Sequence, residues 1–98
     1  MNPTHFLYLI RPPRPTFVAD ASEAERAIMA RHGAYLRKFL DEGKLLLAGP
    51  TLDGVFGVGI FKITDAAEAE TIMRNDPAVL EGLMTPSMHP LYAGLYAA

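Results

Sequence analysis

The chain has no cysteine. Disulfides, zinc thiolates and cysteine nucleophiles are excluded, and a reducing cytoplasm is the expected compartment. It has no tryptophan, and only 20% of its 98 residues are charged, below the ~25% usual in globular domains. Neither sign dominates: 9 basic side chains face 11 acidic ones, for a net charge of −2. The densest basic stretch, Arg11 to Arg14, is broken by prolines. Nucleic acid is therefore not an expected partner, since its electrostatic footprint is missing. No apolar run approaches the ~20 residues that span a bilayer, so no membrane partner is expected. Met1 to His5 lacks a basic start and a small-residue cleavage site, so it does not read as a signal peptide. No internal repeat or low-complexity tract is present.

What the chain does have is apolar surplus. Hydrophobic residues make up 50%. With the 4 Tyr set aside and the 8 Gly added, the share still exceeds the ~45–50% norm. The length suits one domain over 1–98. A compact monomer of 10.7 kDa exposes roughly 5,500 Å², against roughly 15,500 Å² for the extended chain. The surplus therefore points to a further buried surface, against another copy or a ligand.

Thr4 to Ile10 is aromatic and aliphatic and reads as a strand. Arg11 to Thr16 carries three prolines and reads as a non-helical connector. Asp20 with Glu23, and Ser22 with Glu25, form overlapping capping boxes. They predict a helix to about Glu42, stopped at Gly43. Ala24, Ile28, His32, Tyr35, Leu36 and Phe39 share its apolar face; Arg26, Arg37, Lys38 and Asp41 fall outside. Lys44 to Ala48 reads as a strand. Asp53-Gly54 is a tight-turn signal, and Val55 to Ile63 is the returning strand. Thr64-Asp65 caps a second helix to about Arg74, with a short helix possible from Pro77 to Leu83. Met88 to Tyr96 is the expected last strand.

The order βαββαβ predicts an α+β, ferredoxin-like fold: a four-stranded antiparallel sheet with two helices on one face. In the first and third strands both alternating faces are apolar, which does not suit a half-solvated sheet. A second copy packed face to face covers the bare side, predicting a homodimer.

The chemistry-bearing residues are few. Gly57-Val58-Gly59 lies inside a strand with no helix following, so it reads as close backbone approach and not as a phosphate loop. His5, His32 and His89 show no metal-ligand spacing, and no metal or cofactor is expected. Ser22 and Ser87 lack a nucleophile motif. Asp76-Pro77 reads as a helix stop. His32, a polar residue on an apolar helix face, has two readings: a satisfied core histidine, or a general base whose tautomer an acid sets. Asp53 is the candidate acid, because it follows the strand expected beside the helix; as Asp-Gly it is equally a turn residue. Tyr8, Tyr35, Tyr92 and Tyr96 are core or interface side chains, or pocket wall. Tyr8, Tyr35 and Tyr92, with Gly49 and Pro50, are the candidate substrate contacts.

The segments His32-Gly33-Ala34-Tyr35-Leu36, Gly43 to Pro50, Asp53-Gly54, Glu68-Ala69 and Asp76 to Leu83, in that order and spacing, resemble the YciI-like (YCII-related) domain family. The resemblance covers roughly Thr4 to Tyr96. It implies a ferredoxin-like fold that dimerises as an α+β barrel. It also implies a His–Asp pair in a cleft, at positions corresponding to His32 and Asp53. A relative in that family acts as a dehydrochlorinase on a chlorinated hydroxyhydroquinone. The expectation is a cofactor-free enzyme on a small cyclic or aromatic molecule, of isomerase, lyase or dehydrochlorinase type. The alternative is a dimeric small-molecule-binding or stress-associated module without chemistry.

Overall fold

The structure is a computed structural model, and it describes residues 1–97. Four strands, β1 (His5–Arg11), β2 (Leu45–Pro50), β3 (Gly57–Phe61) and β4 (Thr85–Leu91), form one antiparallel sheet in the order β2-β3-β1-β4. The helices are α1 (Phe17–Asp20), α2 (Glu23–Asp41), α3 (Ala66–Arg74) and α4 (Pro77–Leu80). This is the expected ferredoxin-like βαββαβ arrangement, with α2 and α3 as its two long helices.

Alternation along β1 explains the layering. Phe6, Tyr8 and Ile10 point to the helices and are buried, together with Phe61 from β3, Leu36 from α2, and Ala69 and Ile72 from α3. Leu7 and Leu9 point to the opposite face, as do their sheet neighbours Ile60 and Val58. Gly57 pairs with Ile10. A β-carbon there would lie 2.7 Å from Ile10 Cγ1, so the close-approach reading of this glycine holds.

Helix α2 starts where its capping chemistry requires. Ser22 Oγ accepts the Glu25 N–H at 3.1 Å, and the Glu25 carboxylate accepts the Ser22 N–H at 2.9 Å. Of the two overlapping boxes, the chain uses the second. The helix ends at Gly43, with φ of +77°. There the Lys44 N–H donates to the Phe39 carbonyl and the Gly43 N–H to the Leu40 carbonyl, the paired bonds of a left-handed glycine terminator. Asp65 caps α3 by accepting the Ala67 N–H.

Two expectations are corrected. The last strand is Thr85–Leu91, not Met88 to Tyr96. It lies at the sheet edge, where Pro86 and Pro90 are tolerated because alternate N–H groups of an edge strand face away from the ladder. The one-turn α1 was not anticipated. It forms because Phe17 buries itself against the core while Asp20 accepts the Thr16 hydroxyl at 2.6 Å.

The chain exposes 6245 Å², more than the roughly 5,500 Å² of a compact monomer of this mass.

Candidate functional site

His32 lies near the middle of α2, and its ring turns toward the loop that joins α3 to α4. There Asp76 is the N-cap of α4: its Oδ1 accepts the Ala78 N–H at 2.9 Å, and Pro77 supplies the first helical residue. Pro77 has no N–H to satisfy and its φ is preset for helix, so the turn at Asp76 is locally determined. That turn buries the carboxylate completely.

A fully buried carboxylate must have its lone pairs filled. Asp76 meets this with three side-chain and backbone donors. The Tyr8 hydroxyl donates to Oδ2 at 2.7 Å. His32 Nδ1 lies 2.8 Å from Oδ2 and 2.9 Å from Oδ1. The Ala78 N–H completes the set. An ionised carboxylate only accepts, so the proton between the two residues sits on His32 Nδ1. Nε2 of a neutral His32 then carries the lone pair, and it makes no hydrogen bond among the described residues. Burial, with the Asp76 carboxylate beside it, pushes the Tyr8 hydroxyl far above the ordinary tyrosine range. Tyr8 therefore stays protonated and serves as a fixed donor.

His32 and Tyr8 both line a cavity of about 550 Å³ between α2, the Pro12–Ala21 segment and the β2–β3 end of the sheet. This is within the range of small-molecule sites. Its wall is mainly apolar, with Ile10, Phe17, Met29, Leu36, Phe56 and Met84. Gly49 and Pro50, at the end of β2, also line it.

The other candidates lie elsewhere. Asp53 is a correction: the structure does not bring it to His32. It sits exposed in the β2–β3 turn, where Oδ1 accepts the Thr51 hydroxyl at 2.6 Å and the Val55 N–H at 3.0 Å. Those bonds hold its carboxyl below the usual aspartate range. Its Asp-Gly turn chemistry, with Gly54 at φ of +79°, accounts for it fully. Tyr35 is also outside the cavity; its hydroxyl donates to the Ile72 carbonyl at 2.8 Å, tying α2 to α3. Tyr92 is half exposed beyond the end of β4. Neither His5 nor His89 lines the cavity: His5 Nδ1 meets the Thr4 hydroxyl and His89 Nε2 the Ser87 hydroxyl. Among the described residues no three His, Asp or Glu side chains converge as a metal site would need.

The YCII-related domain signature matches residues 6–86. The chain belongs to the YCII-related domain family. Both His32 and Asp76 fall within the matched span. Among curated proteins, none matches this YCII-related chain. Among solved structures, it is similar to the 5-chloro-2-hydroxyhydroquinone dehydrochlorinase of Burkholderia phenoliruptrix in complex with 2,5-dihydroxybenzoquinone. The TM-score is 0.66 at 22% identity, covering 91% of this chain and 95% of that one. At that identity the likeness establishes the shared fold. No helix among the described residues is long and apolar enough to cross a membrane.

Proposed function

We propose that this protein is an acid/base enzyme acting on a small cyclic or aromatic molecule held in the cavity under α2, with His32 as the general base. One observation carries the reading: a histidine held at Nδ1 by a buried carboxylate lines an apolar, ligand-sized cavity. Asp76 takes the orienting role that the sequence suggested for Asp53. Tyr8 positions Asp76.

In this mechanism His32 Nε2 removes a proton from carbon or oxygen of the bound ring. The imidazolium that forms is stabilised by Asp76. Return of the proton to another atom completes an isomerisation. Departure of a β-substituent with its bonding pair, as the C–H electrons become the new double bond, completes an elimination. Base and orienting acid are both side chains, so the reading needs no cofactor. The fold shared with a dehydrochlorinase crystallised with a dihydroxybenzoquinone supports a ring-sized substrate.

The test is a panel of hydroxylated and halogenated rings assayed by product analysis. His32→Ala is expected to stay folded and lose turnover. Turnover by the wild type that survives in His32→Ala would overturn the reading. Binding with no turnover of any ring by the wild type would favour the non-catalytic module.

The bare sheet face supports a homodimer. Leu7, Leu9, Val58 and Ile60 lie on it, Leu47 there is 53% exposed and Leu91 36%. Packed against a second copy, these side chains would leave water. Light scattering at micromolar concentration checks this; a monodisperse monomer rejects it. The cytoplasm suits the cysteine-free chain.

A further inference from the structure

We propose that the cavity selects an anionic ring compound, whose acidic group docks on the stripe of α2 formed by Arg26, Gly33 and Arg37. This rests on the reading of the cavity as a substrate site and adds the charge class of the substrate.

Three observations converge. First, apart from His32, the charged side chains lining the cavity are Arg26 and Arg37, and no carboxylate lines it. Asp76 does not face it, being fully buried behind the imidazole. Both arginines are exposed at its rim, and a cavity whose fixed charges share one sign favours the opposite sign in its ligand. This positive lining stands out in a chain of net charge −2.

Second, these arginines are not committed to carboxylates elsewhere. Arg14, Arg31 and Arg74 each hold an acidic partner. Arg37 holds none among the described residues. Arg26 donates one guanidinium N–H to the Ala21 carbonyl, which anchors it at the cavity and leaves its other donors open. Guanidinium groups suit carboxylates and acidic enols because their paired N–H groups match two oxygens.

Third, Gly33 sits between them. On a helical projection the three residues fall within about 40° of one another, with Gly33 about two turns from Arg26 and about one from Arg37. Gly33 is in the interior of α2, where glycine is less favourable than alanine. Its backbone does not require glycine: its φ is not positive, and a β-carbon there would meet nothing within 4 Å. The space left open belongs to the cavity wall, so the missing side chain makes room for a ligand.

The experiment is isothermal titration calorimetry with matched rings: benzoate against benzamide, and 2,5-dihydroxybenzoquinone against hydroquinone. The acidic member of each pair is expected to bind at least about ten-fold more tightly, with a preference that shrinks as salt rises. Arg37→Gln and Arg26→Gln should each remove most of that preference while leaving the neutral ring unchanged. Gly33→Ala should weaken both rings while raising thermal stability. Equal affinity for charged and neutral rings, a preference untouched in both arginine variants, or no binding at millimolar concentration overturns the proposal. His32→Ala separates it from catalysis: the anion preference should survive there even if turnover is lost. A preference lost only in His32→Ala would assign the anion to the imidazole and also overturn it.

Discussion

Asp76→Asn isolates what the buried carboxylate does, because it changes charge and lone pairs while keeping shape. The wild-type carboxylate accepts from Tyr8, from His32 and from the Ala78 N–H. An asparagine offers one accepting oxygen. If that oxygen keeps the α4 cap, the amide N–H groups face Tyr8 and His32. His32 must then accept at Nδ1, which moves its proton to Nε2 and leaves Nε2 without a lone pair. The charge-assisted bond to His32 is also lost; such bonds are worth about 1.5–3 kcal/mol. A net loss of about 2 kcal/mol corresponds to a fall in Tm of roughly 8–16 °C for a domain of this size. With general-base catalysis gone, turnover should fall about 10²–10⁴-fold. The tautomer needs no substrate to check. Nitrogen-15 NMR of the imidazole should show the Nδ1–H form in the wild type at neutral pH and the Nε2–H form in Asp76→Asn. A wild-type Nε2–H form would refute the orienting role outright. Asp53→Asn should leave both tautomer and turnover unchanged.

Further expectations follow from the same contacts. Gly57→Ala places a methyl group within 2.7 Å of Ile10 Cγ1; it should cost about 1–3 kcal/mol by overpacking, measured by urea denaturation. Gly33→Ala should raise stability by roughly 0.8–1 kcal/mol, and a fall in Tm would mean the helix needs glycine there. Glu25 is held down to about 2, chiefly by hydrogen bonds from Arg14 and next by the Ser22 backbone. A carboxyl lowered in the folded state adds stability that is complete above its unfolded value, here 4.5. That stability is lost as pH falls toward about 2. Arg14→Ala should flatten the acid limb of a Tm-against-pH curve in that window; an unchanged limb would show that the cluster is inert.

Much of the fold was legible because its signals are local. The Ser22/Glu25 box, Gly43 and the alternation in Thr4 to Ile10 each state their own structure, and order alone then selects the sheet. His32 was legible too, as a polar interruption of an apolar helical stripe. Its partner was not. Asp76 lies 44 residues away, and its sequence context, Asn-Asp-Pro, is fully explained by capping and helix termination. Strand order places β2 beside α2 and so points to Asp53, and nothing in Asp-Gly marks the carboxylate as turned outward. Arg26 and Arg37 do lie outside the apolar stripe and are exposed; their place at the cavity rim is not legible, because hydropathy periodicity registers apolar side chains alone. The last strand is legible over Met88 to Leu91 and displaced at both ends; Pro86 argues against an earlier start until one knows that β4 is an edge.

Strand β1 runs through the middle of the sheet, between β3 and β4, and it is one residue thick. Tyr8, the hydroxyl that steadies Asp76, projects to one side; Leu7 and Leu9 project to the other. The two sides share a single backbone, so a shift or tilt imposed on one must appear on the other. One strand backbone thus fixes both the Tyr8 hydroxyl bonded to Asp76 and the apolar surface on the opposite side, with no intervening layer between them.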